Sequence, residues 1–231
     1  MLLPVIGAVG GVLAWAVRGK SSSLLAPSVW KGPRSRRAIA LTFDDGPSES
    51  TPRVLELLAA YDARATFFMC GANVARLPAI ARQAAAAGHE IANHGYSHSR
   101  FDFRAREFMR ADIDNAQRAI PAACGVTPTL FRAPYGVRWF GLGAAQREFG
   151  LTGVMWSAIG LDWKLPPEGV AKRLLGAAWN GAIFCLHDGR EKLENPDVSA
   201  TTGALTALLP GLRKRGFELV TVSELLRNPL R

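Results

Sequence analysis

Cysteine is scarce in the 231-residue chain: Cys70, Cys124 and Cys185 stand far apart, with no CxxC pair and no ligand residues beside them. That spacing excludes a zinc ribbon and a disulfide framework. Cys70 and Cys185 fall in apolar, strand-like runs and read as buried structural thiols. Histidine is nearly as scarce, with four in all. Acidic residues are missing altogether before Asp44, while Arg18, Lys20, Lys31, Arg34, Arg36 and Arg37 precede it. The formal charge of +9 therefore comes largely from the first 37 residues, leaving 22 basic against 19 acidic residues in the rest. A balance of that size, without a basic stripe interleaved with aromatics, argues against a nucleic-acid partner.

Charge is also absent from Leu2 to Val17. As a helix this run would rise about 24 Å, short of the roughly 30 Å of a hydrocarbon core. It reads as a short membrane anchor better than as a cleaved secretory peptide, because no basic residue precedes it and no small-x-small site follows it before Arg18. The basic residues after it would hold the rest of the chain on the cytoplasmic side, against an external substrate. Residues 18 to 37, rich in Ser, Pro, Gly and basic side chains, read as a linker. The expected organisation is an apolar segment over 1–17, a basic linker over 18–37 and one catalytic domain over 38–231.

What is present is a regular alternation. The runs IALTF, ATFFMC, HEIAN, Thr129–Arg132, LTGVMWS, GAIFCLH and FELVTV read as strands. Between them the helical period predicts helices at Pro52–Tyr61, Val74–Ala87, Ala105–Ile120, Gly143–Phe149, Pro167–Trp179 and Thr202–Arg215, with a short one at Ser223–Arg227. Seven βα units in one domain predict an α/β fold with a mainly parallel sheet, either doubly wound or closed into a barrel. The polar clusters FDDG, NHGYSH, RAPYG, LDW and LHDG each follow a predicted strand. Strand carboxyl ends share one face in parallel α/β folds, so the five clusters should meet there.

Asp44 and Asp45 together could form a solvated Asp-Gly-Pro turn, or divide the labour of metal ligand and free base. His94 and His98, if carried on a helical turn, would present both imidazoles on one face, a spacing suited to a divalent cation with Asp45 as third ligand. Such a set leaves positions open for water and a substrate oxygen, as in catalytic metal sites. His187, not needed for the metal, suits a general acid. Arg132 can hold a carboxylate charged, and Asp162 can orient an imidazole and raise its pKa.

TFDDG at Thr42–Gly46, HGYSH at His94–His98, RAPYG at Arg132–Gly136, LDW at Leu161–Trp163 and LHD at Leu186–Asp188 resemble, in order, the five motifs of the polysaccharide deacetylases with a NodB homology domain, carbohydrate esterase family 4. The resemblance spans residues 38 to about 225. It implies a distorted (β/α) barrel with about seven parallel strands. By position it implies that Asp44 is the general base, that Asp45, His94 and His98 bind the metal, and that His187 is the general acid. Arg132 would position the base and Asp162 would tune the acid. The backbone amide of Tyr135 would be an oxyanion donor, and Trp163 and Leu186 would line the acetyl pocket. The implied cofactor is a divalent metal, Zn²⁺ in the first place, with Co²⁺ or Ni²⁺ as alternatives. The implied partner is a carbohydrate bearing N-acetyl groups, met at the cell envelope by a membrane-associated or exported protein. Two departures from the family pattern are Gly95, where Ser or Thr is frequent, and Ile159, where an acidic residue is frequent. The competing readings are a deacylase or deformylase of a lipid-linked amino sugar, favoured by the apolar amino terminus, and a non-catalytic carbohydrate-binding relic. A relic would show a broken acid, base and metal set, and every member is present.

Overall fold

The computed structural model describes residues 2–227. Seven strands carry the sheet: β2 (Ala38–Asp44), β3 (Thr66–Met69), β4 (Glu90–Asn93), β5 (Leu130–Phe131), β6 (Thr152–Val154), β8 (Ala182–His187) and β9 (Glu218–Val220). These are the seven runs read from the sequence. Two-residue strands β1 (Ser28–Val29) and β7 (Ala158–Ile159) complete a nine-stranded sheet in the order β1-β6-β5-β4-β3-β2-β8-β7, with β9 beside the first half of β2. Every strand pair is parallel, and the sheet curls into a distorted (β/α) barrel.

Alternation along β2 shows how the sequence divides inside from outside. Ile39, Leu41 and Phe43 pack into the cluster between sheet and helices, with Leu58 of α2 (Thr51–Ala59) and Leu205, Leu208 and Leu212 of the helix Ser199–Lys214. Ala38 and Ala40 face the other cluster, with Phe68, Ala92, Leu130, Val154 and Ile183. The small Ala38, Ala40 and Ala92 leave room there for Phe68, Leu130 and Ile183. Continuing up the same column come Thr42 and Asp44, so the interior becomes polar at the carboxyl end of the sheet.

Two local features depart from the periodicity. The helix expected over Val74–Ala87 is two helices, α3 (Gly71–Arg76) and α4 (Pro78–Ala86), broken at Leu77 with φ −125° and ψ 54°. Pro78 has no N–H to donate and disfavours α geometry in the residue before it. The helix expected to end at Ile120 runs on as α5 (Arg106–Cys124) and stops at Gly125, which takes the left-handed conformation at φ 73°.

Residues 18–37, whose composition reads as a linker, lie against the barrel. β1 pairs with β6, Lys31 bridges Ala182 at the start of β8, and the Gly32 N–H donates to the Gly181 carbonyl at 2.8 Å. This stretch thus spans from β6 towards β8 on the side where those strands are not themselves paired. The buried Arg138 fixes its beginning, donating to the carbonyls of Ser22 (2.6 Å) and Gly19, while its own N–H donates to the Val17 carbonyl at 3.0 Å. Composition records solvation tendencies and misses such carbonyl-capping by a distant arginine. The first helix, α1 (Leu2–Arg18), ends at this anchor. Among the described residues no helix is long and apolar enough to cross a membrane.

Candidate active site

The carboxyl ends of β2, β4, β5, β7 and β8 deliver the polar clusters to one cleft of about 710 Å³. Asp44 closes β2, and its Oδ1 accepts from Arg132 Nη1 at 2.6 Å. Arg132, fully buried, also donates to Thr42 Oγ1 (2.7 Å) and to the carbonyls of Val154 (3.2 Å) and Met155 (3.3 Å). Its guanidinium lies 4.0 Å over the Phe68 ring. A buried carboxylate needs such a partner to stay ionised.

Asp45, at φ 73°, turns the other way. Its Oδ2 accepts the Glu191 N–H at 2.9 Å, while Oδ1 is buried without a hydrogen-bond partner. That oxygen sits 2.9 Å from His98 Nε2 and 3.4 Å from His94 Nε2. Burial alone would raise the Asp45 pKa, but the close approach of His94 and His98 and the charges of His98 and His187 hold it well below the usual carboxylate range. His94 Nδ1 lies 2.7 Å from the Arg132 carbonyl, which fixes the N–H on Nδ1 and turns the Nε2 lone pair to Asp45. Ligand atoms of Asp45, His94 and His98 all fall within 4.8 Å of one another. One carboxylate and two imidazole lone pairs converging in a buried spot repel each other unless a cation or proton stands among them. The donor set therefore fits a divalent cation.

The two imidazoles meet through a loop, not through the helical turn that their spacing suggested. Gly95 is left-handed at φ 74° and His98 at φ 53°. Asp112 of α5 holds this loop, Oδ2 accepting the Tyr96 N–H and Oδ1 the Ser97 N–H, both at 3.0 Å. A Cβ on residue 95 would sit 2.5 Å from Asp112 Oδ2. The glycine that departs from the family pattern is thus the space that Asp112 occupies. Gly95→Ala should cost about 1–3 kcal/mol of stability through backbone strain and loosen the grip on the cation. Chemical denaturation with calorimetric cation titration checks both, and a variant with wild-type values in each would show the loop to be indifferent to Asp112.

His187 ends β8 on the same face of the strand as Asp44 does on β2. Its ring Nδ1 and its backbone N each lie 2.8 Å from the Asp162 carboxylate, which Thr201 Oγ1 also reaches at 2.5 Å. Burial pulls the His187 pKa down, but the Asp162 hydrogen bond and the charges of Asp162, Asp45 and Asp44 outweigh it and lift it to about 9. For Asp162 burial raises the pKa, and the His187 bond, the His187 charge and Thr201 bring the net below its ordinary value.

Trp163 stands edge-on to His187, ring centroids 5.2 Å apart, and lines the cleft. Tyr135, in a left-handed turn at φ 58°, packs on His98 and donates its hydroxyl to Glu191 at 2.6 Å. Leu186 is a correction: it is fully buried in the cluster under the helices and does not belong to the cleft wall. Period two along β8 puts Cys185 and His187 on the inner face and Leu186 on the outer one. Cys185, read from the sequence as a structural thiol, is therefore a cleft residue, and its Sγ donates to Asp44 Oδ2 at 3.4 Å. Sequence reading also missed Arg18, Arg100 and Arg190 at the cleft. None of them lies inside a recognisable pattern, so only the fold could bring them there.

Residues 31–154 match the polysaccharide deacetylase family. The chain is 39% identical over 202 residues to a peptidoglycan-N-acetylglucosamine deacetylase of Bacillus cereus, covering 86% of this chain and 92% of the relative. It is 36% identical over 198 residues to a chitooligosaccharide deacetylase of Bradyrhizobium sp., covering 82% and 90%. A solved peptidoglycan N-acetylglucosamine deacetylase, in complex with an N-oxidanyl-benzamide, superposes with a TM-score of 0.80 at 29% identity, covering 85% of this chain and 91% of that one.

Proposed function

This chain belongs to the polysaccharide deacetylase family, and we propose on that premise that it hydrolyses N-acetyl groups of an N-acetylglucosamine-containing poly- or oligosaccharide, with Asp44 as base and His187 as acid. The observation that carries the assignment is a pair of opposed acid/base couples, Arg132–Asp44 and Asp162–His187, in one cleft with the Asp45, His94 and His98 set. A divalent cation held by those three, Zn²⁺ or alternatively Co²⁺ or Ni²⁺, supplies Lewis-acid polarisation of the acetyl carbonyl and of a water. Asp44, held in place by Arg132 Nη1, takes the proton of the attacking water. The backbone N–H of Tyr135 stabilises the negative oxygen that develops on the carbonyl. His187, charged at neutral pH and oriented by Asp162, gives its proton to the leaving sugar amine. Trp163, half exposed beside His187, offers a face against which a sugar ring packs. The same reading puts the protein at the cell envelope, with α1 holding it close to the membrane.

Mass spectrometry of N-acetylglucosamine oligomers treated with the cation-loaded protein tests the reaction. Acetate and free amines with every glycosidic bond intact are expected. Shortened oligomers, or unchanged ones alongside neutral peptidoglycan fragments that are also unchanged, would reject the assignment.

The raised His187 pKa gives a pH test. A folded pKa above the unfolded value near 6.5 means that this group's stabilisation is complete below pH 6.5 and is lost as pH rises through about 9. In the chelated protein the His187 ring should titrate near 9 by NMR, and Asp162→Asn should move the midpoint down. Loading the cation should also lower it, because the fields of Asp44 and Asp45 are then offset. A midpoint that Asp162→Asn leaves in place would remove Asp162 from its tuning role.

A further inference from the structure

The cleft holds a second group of convergent donors. One ligand atom each from Asp44, Cys185 and His187 lie within 4.8 Å of one another. We propose that these three side chains form a second, weaker site for a thiophilic divalent cation, Zn²⁺ or Cd²⁺, whose occupation shuts the enzyme off.

Three observations carry this. Cys185 Sγ and Asp44 Oδ2 are 3.4 Å apart, close to the edge of about 3.5 Å that bond lengths of 2.0–2.3 Å give a tetrahedral site. His187 is braced as metal-ligating histidines are, Nδ1 against the Asp162 carboxylate and the ring at the cleft, so Nε2 is the atom left to bind. Arg132 occupies Asp44 Oδ1 and leaves Oδ2 on the side of Cys185. All three residues line the open cleft, so an ion can reach them.

On binding, the S–H bond of Cys185 breaks as the S–metal bond forms, and the proton leaves to water. A proton on His187 Nε2 leaves in the same way. Asp44 Oδ2 lies 3.9 Å from His94 Nε2, so the second ion sits close to the first and is repelled by it. Repulsion between two divalent ions at such a range weakens the second site by at least about 10³-fold relative to the first, even when fully screened by water. The inhibitory half of the proposal rests on Asp44 and His187 acting as base and acid, while the binding half does not.

The test is a titration of the metal-free full chain with Cd²⁺ and, separately, Zn²⁺, following ion stoichiometry and the sulfur-to-cadmium charge-transfer band in the ultraviolet. Two ions per chain are expected, with the band growing only with the second. Cys185→Val should bind one ion and show no band. Acetate release should rise with the first Zn²⁺ and fall with the second in the natural chain, while in Cys185→Val the falling limb moves to at least about tenfold higher concentration. A single ion per chain, a band that grows with the first ion, or a band or falling limb that survives in Cys185→Val would each overturn the site. Two ions and the Cys185-dependent band, without any activity at either stage, would sustain the binding site and count against the inhibition.

Discussion

Asp44→Asn should lower kcat by about 10²–10⁴-fold, the range a positioned general base contributes, and leave the bound cation in place. Asparagine keeps the shape of the side chain, and its amide oxygen can still accept from Arg132 Nη1, now 2.6 Å from Asp44 Oδ1. What it lacks is the charge that accepts a proton from water. The cation should stay because the donors proposed for it are Asp45, His94 and His98, and Asp45 Oδ1 lies against the imidazole pair. His94→Ala should lose both the ion and the rate, since it removes a ligand braced on the Arg132 carbonyl. Metal analysis and kinetics on the same preparations check this, and equal loss of metal in the two variants would abolish the division of labour between the adjacent aspartates.

Arg132→Met should destabilise the protein by about 3–5 kcal/mol, as expected when one member of a buried ion pair is removed. Arg132 is the only counter-charge hydrogen-bonded to Asp44 among the described residues, and it also satisfies the Val154 and Met155 carbonyls at the ends of its fork. Methionine fills much of the volume against Phe68 but donates nothing. Asp44 then loses the hydrogen bond that aims it in the cleft, and its work as base fails with it. The double variant Arg132→Met with Asp44→Asn should recover a good part of the stability and none of the activity. Denaturation of the four proteins of this cycle gives the coupling directly, and additive losses would mean that the two groups do not depend on each other.

The barrel and most of its site are legible in the sequence because both obey short-range rules. The main strands are short apolar runs, and each reactive side chain ends a strand or lies within five residues after one. Parallel strands then bring Asp44, Asp45, His94, His98, Arg132, Asp162 and His187 together. The unreadable parts depend on distant partners. The loop geometry of His94–His98 is set by Asp112, which stands 14 residues beyond His98 within an ordinary amphipathic helix. The packing of residues 18–37 depends on Arg138, more than a hundred residues away, and on single hydrogen bonds to Gly19 and Ser22 that leave no periodic trace. Leu186 and Cys185 exchanged places for a simpler reason. Both are apolar enough for a strand, and only the inward phase of β8, fixed by its pairing with β2, tells which one meets the cleft.

The most direct test of a cation-assisted deacetylase is acetate release from N-acetylglucosamine oligomers by the full chain after chelation and during stepwise return of Zn²⁺. Chelation should abolish release, and recovery should be complete when one Zn²⁺ per chain has been restored. Release that persists in the chelated protein, or that stays absent with the Asp45, His94 and His98 site filled, would contradict it.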